Sequence, residues 1–248
     1  MKQLVAFDLD GTLALSKQPL EPDMGEALAD LLGVAHVAVI SGGDWPQFEK
    51  QVASRLPERA DRSRLWLMPT TGTKLYTHKD GAWSTVYAEL FSPEERRNIV
   101  DAFAASLAAT GFKPERIWGE QVEDRGSQVT FSALGQQAPL EEKERWDPDF
   151  VKRKVIQADL RGRLPGLSIN MGGATSIDIT REGVDKAYGL KKLRDASGVP
   201  LDAMMFIGDA IFPGGNDYPA KTLGLDTVRV RDPQETISVI SAIVACQK

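Results

Sequence analysis

The sequence predicts an α/β fold in which both ends of the chain build a parallel-sheet core and the middle forms an inserted α+β domain. Short apolar, β-rich runs at Gln3–Phe7, His36–Ile40 and Met204–Ile207 end abruptly at polar or glycine residues. Buried parallel strands look like this when their carboxyl ends carry a site. Between these runs the order changes to helix, strands, helix, strands, which is typical of helices packed on one face of an antiparallel sheet. We therefore predict a core of residues 1–83 and 185–248 and an insert of residues 84–184.

The first third of the chain alternates between strands and helices. Pro22–Leu32 has helical periodicity and is closed by Gly33, and Pro46–Leu56 is a second helical segment. Arg64–Met68 predicts a further strand. Asp80-Gly81 lies between two β-rich segments, and this dipeptide is a strong signal for a two-residue hairpin turn.

The insert begins with a helix that has a clear start signal. Ser92 can cap this helix, Pro93 suits its first position, and Glu94 and Glu95 favour its positive end. The polar segment 136–147 predicts an irregular loop. The other predicted elements of the insert are the helix Asp149–Leu160 and the strands Ile117–Glu123, Gln128–Leu134, Leu167–Met171 and Thr175–Thr180.

The strand–helix alternation returns after the insert. The elements predicted there, besides the strand Met204–Ile207, are the helices Asp185–Ala196, Pro219–Leu223 and Glu235–Val244 and the strand Thr227–Val230. Helices and strands in this order complete an α/β core.

Composition and charge exclude some classes of partner. The formal net charge of −5 argues against nucleic acid, whose binding needs a basic face. No apolar run is long enough to span a membrane, and the first residues lack the pattern of a secretion signal. The single cysteine, Cys246, can form no internal disulfide. We therefore expect a cytoplasmic protein without a nucleic-acid or membrane partner.

The segment Asp8-Leu9-Asp10-Gly11-Thr12 carries the strongest chemical signal in the chain. Residues two apart in an extended chain point the same way, so the carboxylates of Asp8 and Asp10 can face one site. Two such carboxylates repel each other unless a cation lies between them, and Mg²⁺ prefers oxygen ligands. Gly11 permits a tight turn, and the backbone amides that follow, from Thr12 onward, can cradle an anion. A helix cap or a polar turn would explain a single aspartate equally well.

Three further sites lie at the ends of predicted strands or at the start of a predicted helix. Ser41 and Gly42 offer a hydroxyl and an open backbone to a phosphate. Lys186 lies near a helix start, where the helix dipole disfavours a cation, so neutralising a phosphate would give it a functional reason. Oxygen ligands for a metal recur in the last loop, at Asp209, Asn216 and Asp217. Each signal alone also fits an ordinary turn or a solvated lysine, but together they match the rule that open α/β sheets bind ligands at strand carboxyl ends.

These four motifs, in this order, resemble those of the haloacid dehalogenase superfamily of phosphotransferases. Asp8 and Asp10 correspond to the first motif, Ser41 to the second and Lys186 to the third, and the last aspartates to the fourth. The resemblance implies a Rossmann-like parallel-sheet core. The insert, which lies between the second and third motifs, looks like the α+β, C2b-type cap domain of that superfamily.

The resemblance extends to the eukaryotic-type phosphomannomutases over nearly the whole chain. The segments that carry it are Glu123–Ser127 through Leu134-Gly135, Gly172–Asp178 and Gly208-Asp209 to Pro213–Asp217. The long Pro-Gly-Gly-Asn-Asp loop is the most specific of them. The resemblance implies that Arg125, Ser176 and Asp178 of the insert contact the substrate.

Several positions depart from that family's pattern. Gln136 and Lys143 stand at or near positions where the family has arginines, with Arg145 as a nearby substitute, and Ser41 stands where the family tends to have glycine. An arginine fork suits the second phosphate that a mutase must hold. The sequence therefore predicts a phosphatase for a small phosphorylated metabolite such as a sugar phosphate, with phosphomannomutase activity as the alternative.

The expected mechanism is covalent. Asp8 attacks phosphorus to form an aspartyl-phosphate, and Asp10 protonates the leaving oxygen and then activates the acceptor. Lys186 and Ser41 stabilise the phosphate charge. The expected ligands of Mg²⁺ are Asp8, Asp10, Asp209, Asn216 and Asp217. Because similar proteins form dimers through the cap, the resemblance also makes a homodimer an expectation.

Overall fold

The computed structural model describes residues 2–172 and 174–247 of the chain. They form two compact units, a core built from the residues up to Ala88 and from Val184 onward, and the insert Glu89–Gly183. The sequence predicts that the insert begins at residue 84. This position instead lies inside a strand that continues to Ala88 and pairs within the core sheet. The second boundary differs from the predicted one by a single residue.

The elements of the described residues are as follows in chain order. The strands are β1 Leu4–Phe7, β2 His36–Ile40, β3 Leu65–Met68, β4 Lys74–Lys79, β5 Ala82–Ala88, β6 Val122–Asp124, β7 Val129–Ser132, β8 Leu167–Gly172, β9 Ser176–Arg181, β10 Met204–Gly208 and β11 Asp226–Arg229. The helices are α1 Pro22–Leu32, α2 Trp45–Gln51, α3 Pro69–Gly72, α4 Pro93–Thr110, α5 Leu140–Trp146, α6 Val151–Arg163, α7 Lys186–Ser197, α8 Tyr218–Thr222 and α9 Pro233–Gln247. Within this part of the chain, no helix combines the length and the apolar character needed to cross a bilayer.

The core sheet has the strand order β11-β10-β1-β2-β3-β4-β5. The first five strands are parallel, and β4 and β5 extend the sheet as an antiparallel hairpin. This hairpin turns at the predicted Asp80-Gly81, where both residues have a positive φ, 52° and 81°. A type I′ turn requires that conformation. The predicted parallel-sheet core is therefore confirmed.

Helices cover both faces of the core sheet. Successive residues of a strand point to opposite faces, so each strand contributes side chains to the packing on both sides. On β1, Val5 and Phe7 belong to the apolar cluster that includes α1, α2 and α9. Leu4 and Ala6 belong to the cluster that includes α7 and α8. All four side chains are fully buried. A strand buried on both faces explains the continuous apolar run that precedes Asp8.

The insert is a four-stranded antiparallel sheet in the order β6-β7-β9-β8, with α4 and α6 packed on one face. Phe103 of α4 stacks on Phe131 of β7 with ring centroids 5.4 Å apart. The predicted start of α4 is a full capping box. The Ser92 hydroxyl accepts the Glu95 N–H at 3.1 Å, and the Glu95 carboxylate accepts the Ser92 N–H at 2.6 Å. The predicted α+β class of the insert is confirmed.

Two local predictions in the insert are wrong. The loop predicted for 136–147 contains the helix α5, which has acidic residues in its first turn and basic residues in its last turn, as the helix dipole favours. The strand predicted for Ile117–Glu123 is reduced to β6, which starts at Val122. Gly119 adopts a φ of 74°, which interrupts the extended backbone before that point.

Candidate active site

The register of the core sheet brings the carboxyl ends of three strands to one level. Phe7 of β1 lies opposite both Ile207 of β10 and Val39 of β2. The predicted site residues follow directly, with Asp8 after β1, Ser41 after β2 and Asp209 after β10. They emerge along the edge at which open α/β sheets bind ligands.

Lys186 lies between two carboxylates in the protein interior. Its Nζ donates a hydrogen bond to Asp8 Oδ1 and lies 2.6 Å from Asp217 Oδ1. The three side chains are 0–6% exposed. Lys186 is the first residue of α7, whose start is capped by Asp185, which accepts the Tyr188 N–H at 2.8 Å. The two anionic partners offset the unfavourable position of a cation at the positive end of the helix.

Burial and the neighbouring charges shift the pKa values of Asp8 and Lys186. Burial raises the pKa of Asp8 to about 7, although Lys186 acts to lower it, and Asp217 adds to the rise. Burial acts to lower the pKa of Lys186, but the charges of Asp8 and Asp217 outweigh burial and the pKa is raised overall. Lys186 is therefore a cation at neutral pH. A divalent cation beside Asp8 would favour the ionised carboxylate.

Three carboxylates are arranged so that they can hold a divalent cation. One oxygen from each of Asp8, Asp209 and Asp217 lies within 4.8 Å of the others. Burial, and then the charge of Asp217, raise the pKa of Asp209. A bound cation would relieve this repulsion, and a donor set made only of oxygens suits Mg²⁺. The residues present therefore fit the predicted metal.

Asp217 is held in place by the backbone around it. Its Oδ2 accepts the Ala210 N–H at 3.1 Å. Gly208 leaves the space that this carboxylate occupies, since a Cβ there would lie 2.3 Å from the same oxygen. Asn216, the other predicted ligand of this loop, is exposed.

Asp10 has surroundings different from those of Asp8. Its Oδ1 accepts the Lys17 N–H at 2.6 Å, and its Oδ2 accepts a long hydrogen bond of 3.4 Å from Gln47 Nε2. The Asp10 carboxylate is not part of the three-carboxylate group, because the extended strand ends before it and the chain turns at Gly11. Gln47 was not identified from the sequence, in which nothing distinguishes it from a solvated glutamine on α2.

The turn after Asp10 requires glycine for two reasons. Gly11 has a φ of 85°, and a Cβ there would lie 2.9 Å from Asp209 Oδ2. The next residue, Thr12, is fully buried, and its hydroxyl donates a long hydrogen bond of 3.4 Å to Asp209 Oδ1. The carbonyl of Thr12 accepts the hydroxyl of Thr236 at 2.7 Å. The first motif is thus tied both to Asp209 and to α9.

We expect Gly11→Ala to weaken Mg²⁺ binding about 10-fold or more, because the new methyl group displaces the Asp209 carboxylate. Isothermal titration with Mg²⁺ measures this effect. Gly198→Ala is a matched control, since Gly198 has a φ of 72° but open space around its Cα. Both variants carry the backbone cost of a positive φ, roughly 1–2 kcal/mol. Equal Mg²⁺ affinities for the two variants would contradict the close approach of Gly11 to the site.

Ser41 and Gly42 lie in a loop that is held by a strained turn. After β3, Thr70 and Thr71 have φ values of 49° and 58°, which are rare for β-branched residues. The Thr71 N–H donates to the Ser41 carbonyl at 2.9 Å, and the Thr70 N–H donates to the Gly43 carbonyl at 2.8 Å. Because C=O and N–H point in opposite directions across a trans peptide, the Gly42 N–H is directed away from this turn. The sequence does not predict the turn.

The substrate contacts predicted in the insert lie on or next to its sheet. Asp178 on β9 accepts a hydrogen bond from Thr130 Oγ1 at 2.7 Å. Ser176 lies two residues earlier on the same strand, so the two side chains leave the same face. Arg125, in the turn after β6, forms an ion pair with Glu123 at 2.7 Å.

Two of the positions that depart from the family pattern, Gln136 and Lys143, contact each other. Lys143 Nζ donates to the Gln136 carbonyl at 3.1 Å. Gln136 Nε2 is buried, and it has no hydrogen-bond partner within residues 2–172 and 174–247. Gln136 therefore places an uncharged amide at this position.

Known proteins resemble this chain over nearly its whole length. A family model described as eukaryotic phosphomannomutase matches residues 24–246. The phosphomannomutase of Schizosaccharomyces pombe is 27% identical, with 98% of this chain and 94% of the relative covered. The phosphomannomutase of Spinacia oleracea is 26% identical, with coverages of 99% and 97%.

Solved structures share the fold at lower sequence identity. The N-terminally truncated IMP-nucleotidase of Plasmodium falciparum has a TM-score of 0.71 at 16% identity, with 98% of this chain and 70% of that chain covered. The trehalose-6-phosphate phosphatase of Aspergillus fumigatus has a TM-score of 0.57 at 18% identity, with coverages of 99% and 93%. Together with the four motifs, these findings establish that the chain belongs to the eukaryotic phosphomannomutase family, within the haloacid dehalogenase superfamily.

Proposed function

We propose that this protein is a Mg²⁺-dependent phosphohexose mutase that interconverts hexose 1- and 6-phosphates and carries the transferred phosphoryl group on Asp8. One observation carries the proposal. A buried carboxylate paired with Lys186 lies among the acids that fit Mg²⁺, in a chain whose relatives are named phosphomannomutases. The phosphatase predicted from the sequence becomes the second candidate, because the family assignment favours the mutase.

In the first step Asp8 attacks the phosphorus of a sugar phosphate. An oxygen–phosphorus bond forms to the Asp8 carboxylate as the bond to the leaving oxygen breaks, and Asp10 gives the leaving oxygen a proton. In the second step Asp10 takes a proton from the acceptor hydroxyl, which attacks the aspartyl-phosphate. The acceptor is a sugar hydroxyl in a mutase and water in a phosphatase.

The surrounding groups stabilise the charge of the transferred phosphate. Lys186 supplies a buried cation next to Asp8, and the Ser41 hydroxyl and the amide of Gly42 supply hydrogen-bond donors. Thr12 is not among these donors, because its N–H donates to the Leu9 carbonyl at 3.3 Å and its hydroxyl donates to Asp209. Mg²⁺, when bound, supplies further charge neutralisation at the phosphate oxygens. The groups that would hold it are the carboxylates of Asp8, Asp209 and Asp217, the backbone carbonyl of Asp10, and Asn216 directly or through water.

The insert is proposed to supply the contacts to the sugar. Arg125 offers a guanidinium to a second phosphate, and Ser176 and Asp178 offer hydrogen-bonding groups to sugar hydroxyls. A homodimer, which the sequence resemblance makes an expectation, remains part of this proposal.

One observation favours the phosphatase as the second candidate. Gln136 provides an uncharged amide where the family's arginine would provide charge for a second phosphate. Weak binding of the distal phosphate would slow transfer of the phosphoryl group from Asp8 to a sugar hydroxyl. Water would then hydrolyse the phosphoenzyme first.

Phosphorus NMR separates the two candidates. Protein with Mg²⁺ and mannose 1-phosphate is followed with and without a catalytic amount of glucose 1,6-bisphosphate. The proposal predicts mannose 6-phosphate, formed only when the bisphosphate is present. Release of inorganic phosphate without isomerisation would replace the mutase by the phosphatase.

We expect the apparent Mg²⁺ affinity to fall about 10-fold between pH 8 and pH 6, because the pKa of Asp8 is raised to about 7 and the proton must leave before the carboxylate can bind. Isothermal titration in two buffers of different ionisation enthalpy measures both the affinity and the proton release. Proton release should be larger at pH 6 than at pH 8, and Asp8→Asn should reduce it. An affinity that does not change over this range would contradict the raised pKa.

A further inference from the structure

A buried ion pair in the insert has no part in the chemistry described so far. Arg153 on α6 is 1% exposed, and its Nε donates to Asp147 Oδ2 at 2.8 Å. Asp147 is also buried and accepts the backbone N–H groups of Lys152 and Arg153 at 2.9 and 3.2 Å, so it caps the start of α6. Buried ion pairs are weak evidence for stability, since packed apolar residues often serve as well. A requirement that the Arg153 guanidinium stays in one position explains the ion pair better.

The guanidinium reaches from this anchor to the end of β8. An Nη nitrogen of Arg153 donates to the Gly172 carbonyl at 3.2 Å. Gly172 is the last residue of β8 and lies opposite Ser176 in the pairing with β9. Because the guanidinium is a rigid planar fork, holding its Nε on Asp147 also orients the nitrogen that contacts Gly172.

Gly172 also limits the position of the Asp178 carboxylate. A Cβ on Gly172 would lie 2.5 Å from Asp178 Oδ2, so only glycine allows this approach. The other oxygen, Asp178 Oδ1, accepts the Thr130 hydroxyl at 2.7 Å. Thr130 in turn accepts a hydrogen bond of 3.0 Å from the buried Gln128 amide. The carboxylate is therefore held between a fixed hydroxyl and the backbone that Arg153 contacts.

We propose that Asp147 and Arg153 are positioning residues for substrate binding in the insert. They fix the Gly172 backbone, and through it the orientation of Ser176 and Asp178 toward sugar hydroxyls. The inference rests on the proposed function, because it takes Ser176 and Asp178 as the sugar contacts. Contacts that are already ordered cost less entropy when the substrate binds.

Two variants test this role from opposite sides. The double variant Arg153→Met/Asp147→Asn removes both charges and keeps a side-chain oxygen to cap α6. Gly172→Ala leaves the ion pair intact and places a methyl group against the Asp178 carboxylate. The matched control is Gln157→Met, which removes a hydrogen bond of 2.6 Å from the same helix to the Ile169 carbonyl of the same strand.

We expect both test variants to raise KM for the hexose phosphate about 10-fold, because a small misplacement of substrate contacts weakens binding strongly. The inhibition constant of inorganic phosphate should change by less than about twofold, since inorganic phosphate makes no sugar contacts. Gln157→Met should leave both values unchanged. Circular dichroism checks folding, and if the double variant does not fold, Arg153→Lys takes its place, because lysine keeps the buried charge and loses the planar fork that reaches Gly172.

An unchanged KM in the folded ion-pair variant would overturn the proposal, as would an equal change in the phosphate inhibition constant. Asp178→Asn separates this failure from a failure of the proposed function. If Asp178→Asn raises KM and the test variants do not, only the positioning role is wrong. If Asp178→Asn also leaves KM unchanged, the sugar contact is wrong and the positioning role falls with it.

Discussion

Replacing Asp8 by asparagine is expected to lower kcat about 10⁴-fold, because the amide cannot attack phosphorus and no aspartyl-phosphate forms. The variant should still fold. Asparagine keeps the shape of the buried side chain, and Lys186 keeps its partner Asp217 at 2.6 Å. Steady-state turnover of hexose phosphate, measured beside the thermal midpoint of unfolding, tests both statements.

The matched control for this variant is Asp44→Asn. Asp44 lies in the same core and pairs with the largely buried Lys74 at 2.6 Å, but it has no part in the chemistry. Loss of the Asp44–Lys74 ion pair should lower the thermal midpoint of unfolding with little change in kcat. An Asp8→Asn protein that kept more than about a tenth of its turnover would remove Asp8 from the role of nucleophile.

Replacing Lys186 by methionine is expected to lower kcat about 10²–10³-fold, because the buried cation next to the transferred phosphate is lost. It should also lower the free energy of unfolding by about 3–5 kcal/mol near neutral pH, since Asp8 and Asp217 are left without their buried partner. Chemical denaturation and steady-state kinetics measure the two effects. Lys191→Met is the control, because Lys191 is an exposed lysine on the same helix.

The stability loss of Lys186→Met should depend on pH. Burial already raises the pKa of Asp8 to about 7, and removing Lys186 takes away the charge that lowers it. A group whose pKa is raised on folding stabilises the folded state at low pH and loses that contribution as pH rises. The loss should therefore be smallest near pH 5 and should grow above pH 7. A loss that is larger at pH 5 than at pH 8 would contradict the pairing of Lys186 with Asp8.

The core of the site could be predicted because it depends on strand order and local pattern. Asp8, Ser41 and Asp209 each follow a continuous apolar run, and parallel strands carry such residues to one edge of a sheet. Lys186 was identifiable because a lysine at a helix start needs an anionic partner. The structure supplies two such partners, Asp8 and Asp217.

Other features depend on tertiary contacts that leave no local pattern. The positive φ values of Thr70 and Thr71 go against the preference of β-branched residues, and hydrogen bonds to the loop after β2 accompany them. Arg153 looks like any basic residue of a polar helix, although it is among the largest fully buried side chains. The first insert boundary was misplaced because β5 continues beyond the residues that mark the hairpin.

The covalent phosphate on Asp8 is the central claim, and a labelling experiment tests it most directly. Protein with Mg²⁺ is mixed with a ³²P-labelled hexose bisphosphate, quenched in acid within milliseconds, digested, and the labelled peptide is identified. The account predicts label on the peptide that contains Asp8, sensitive to hydroxylamine as an acyl phosphate is, and absent from Asp8→Asn. Label on another residue, or turnover without any labelled protein, would contradict it.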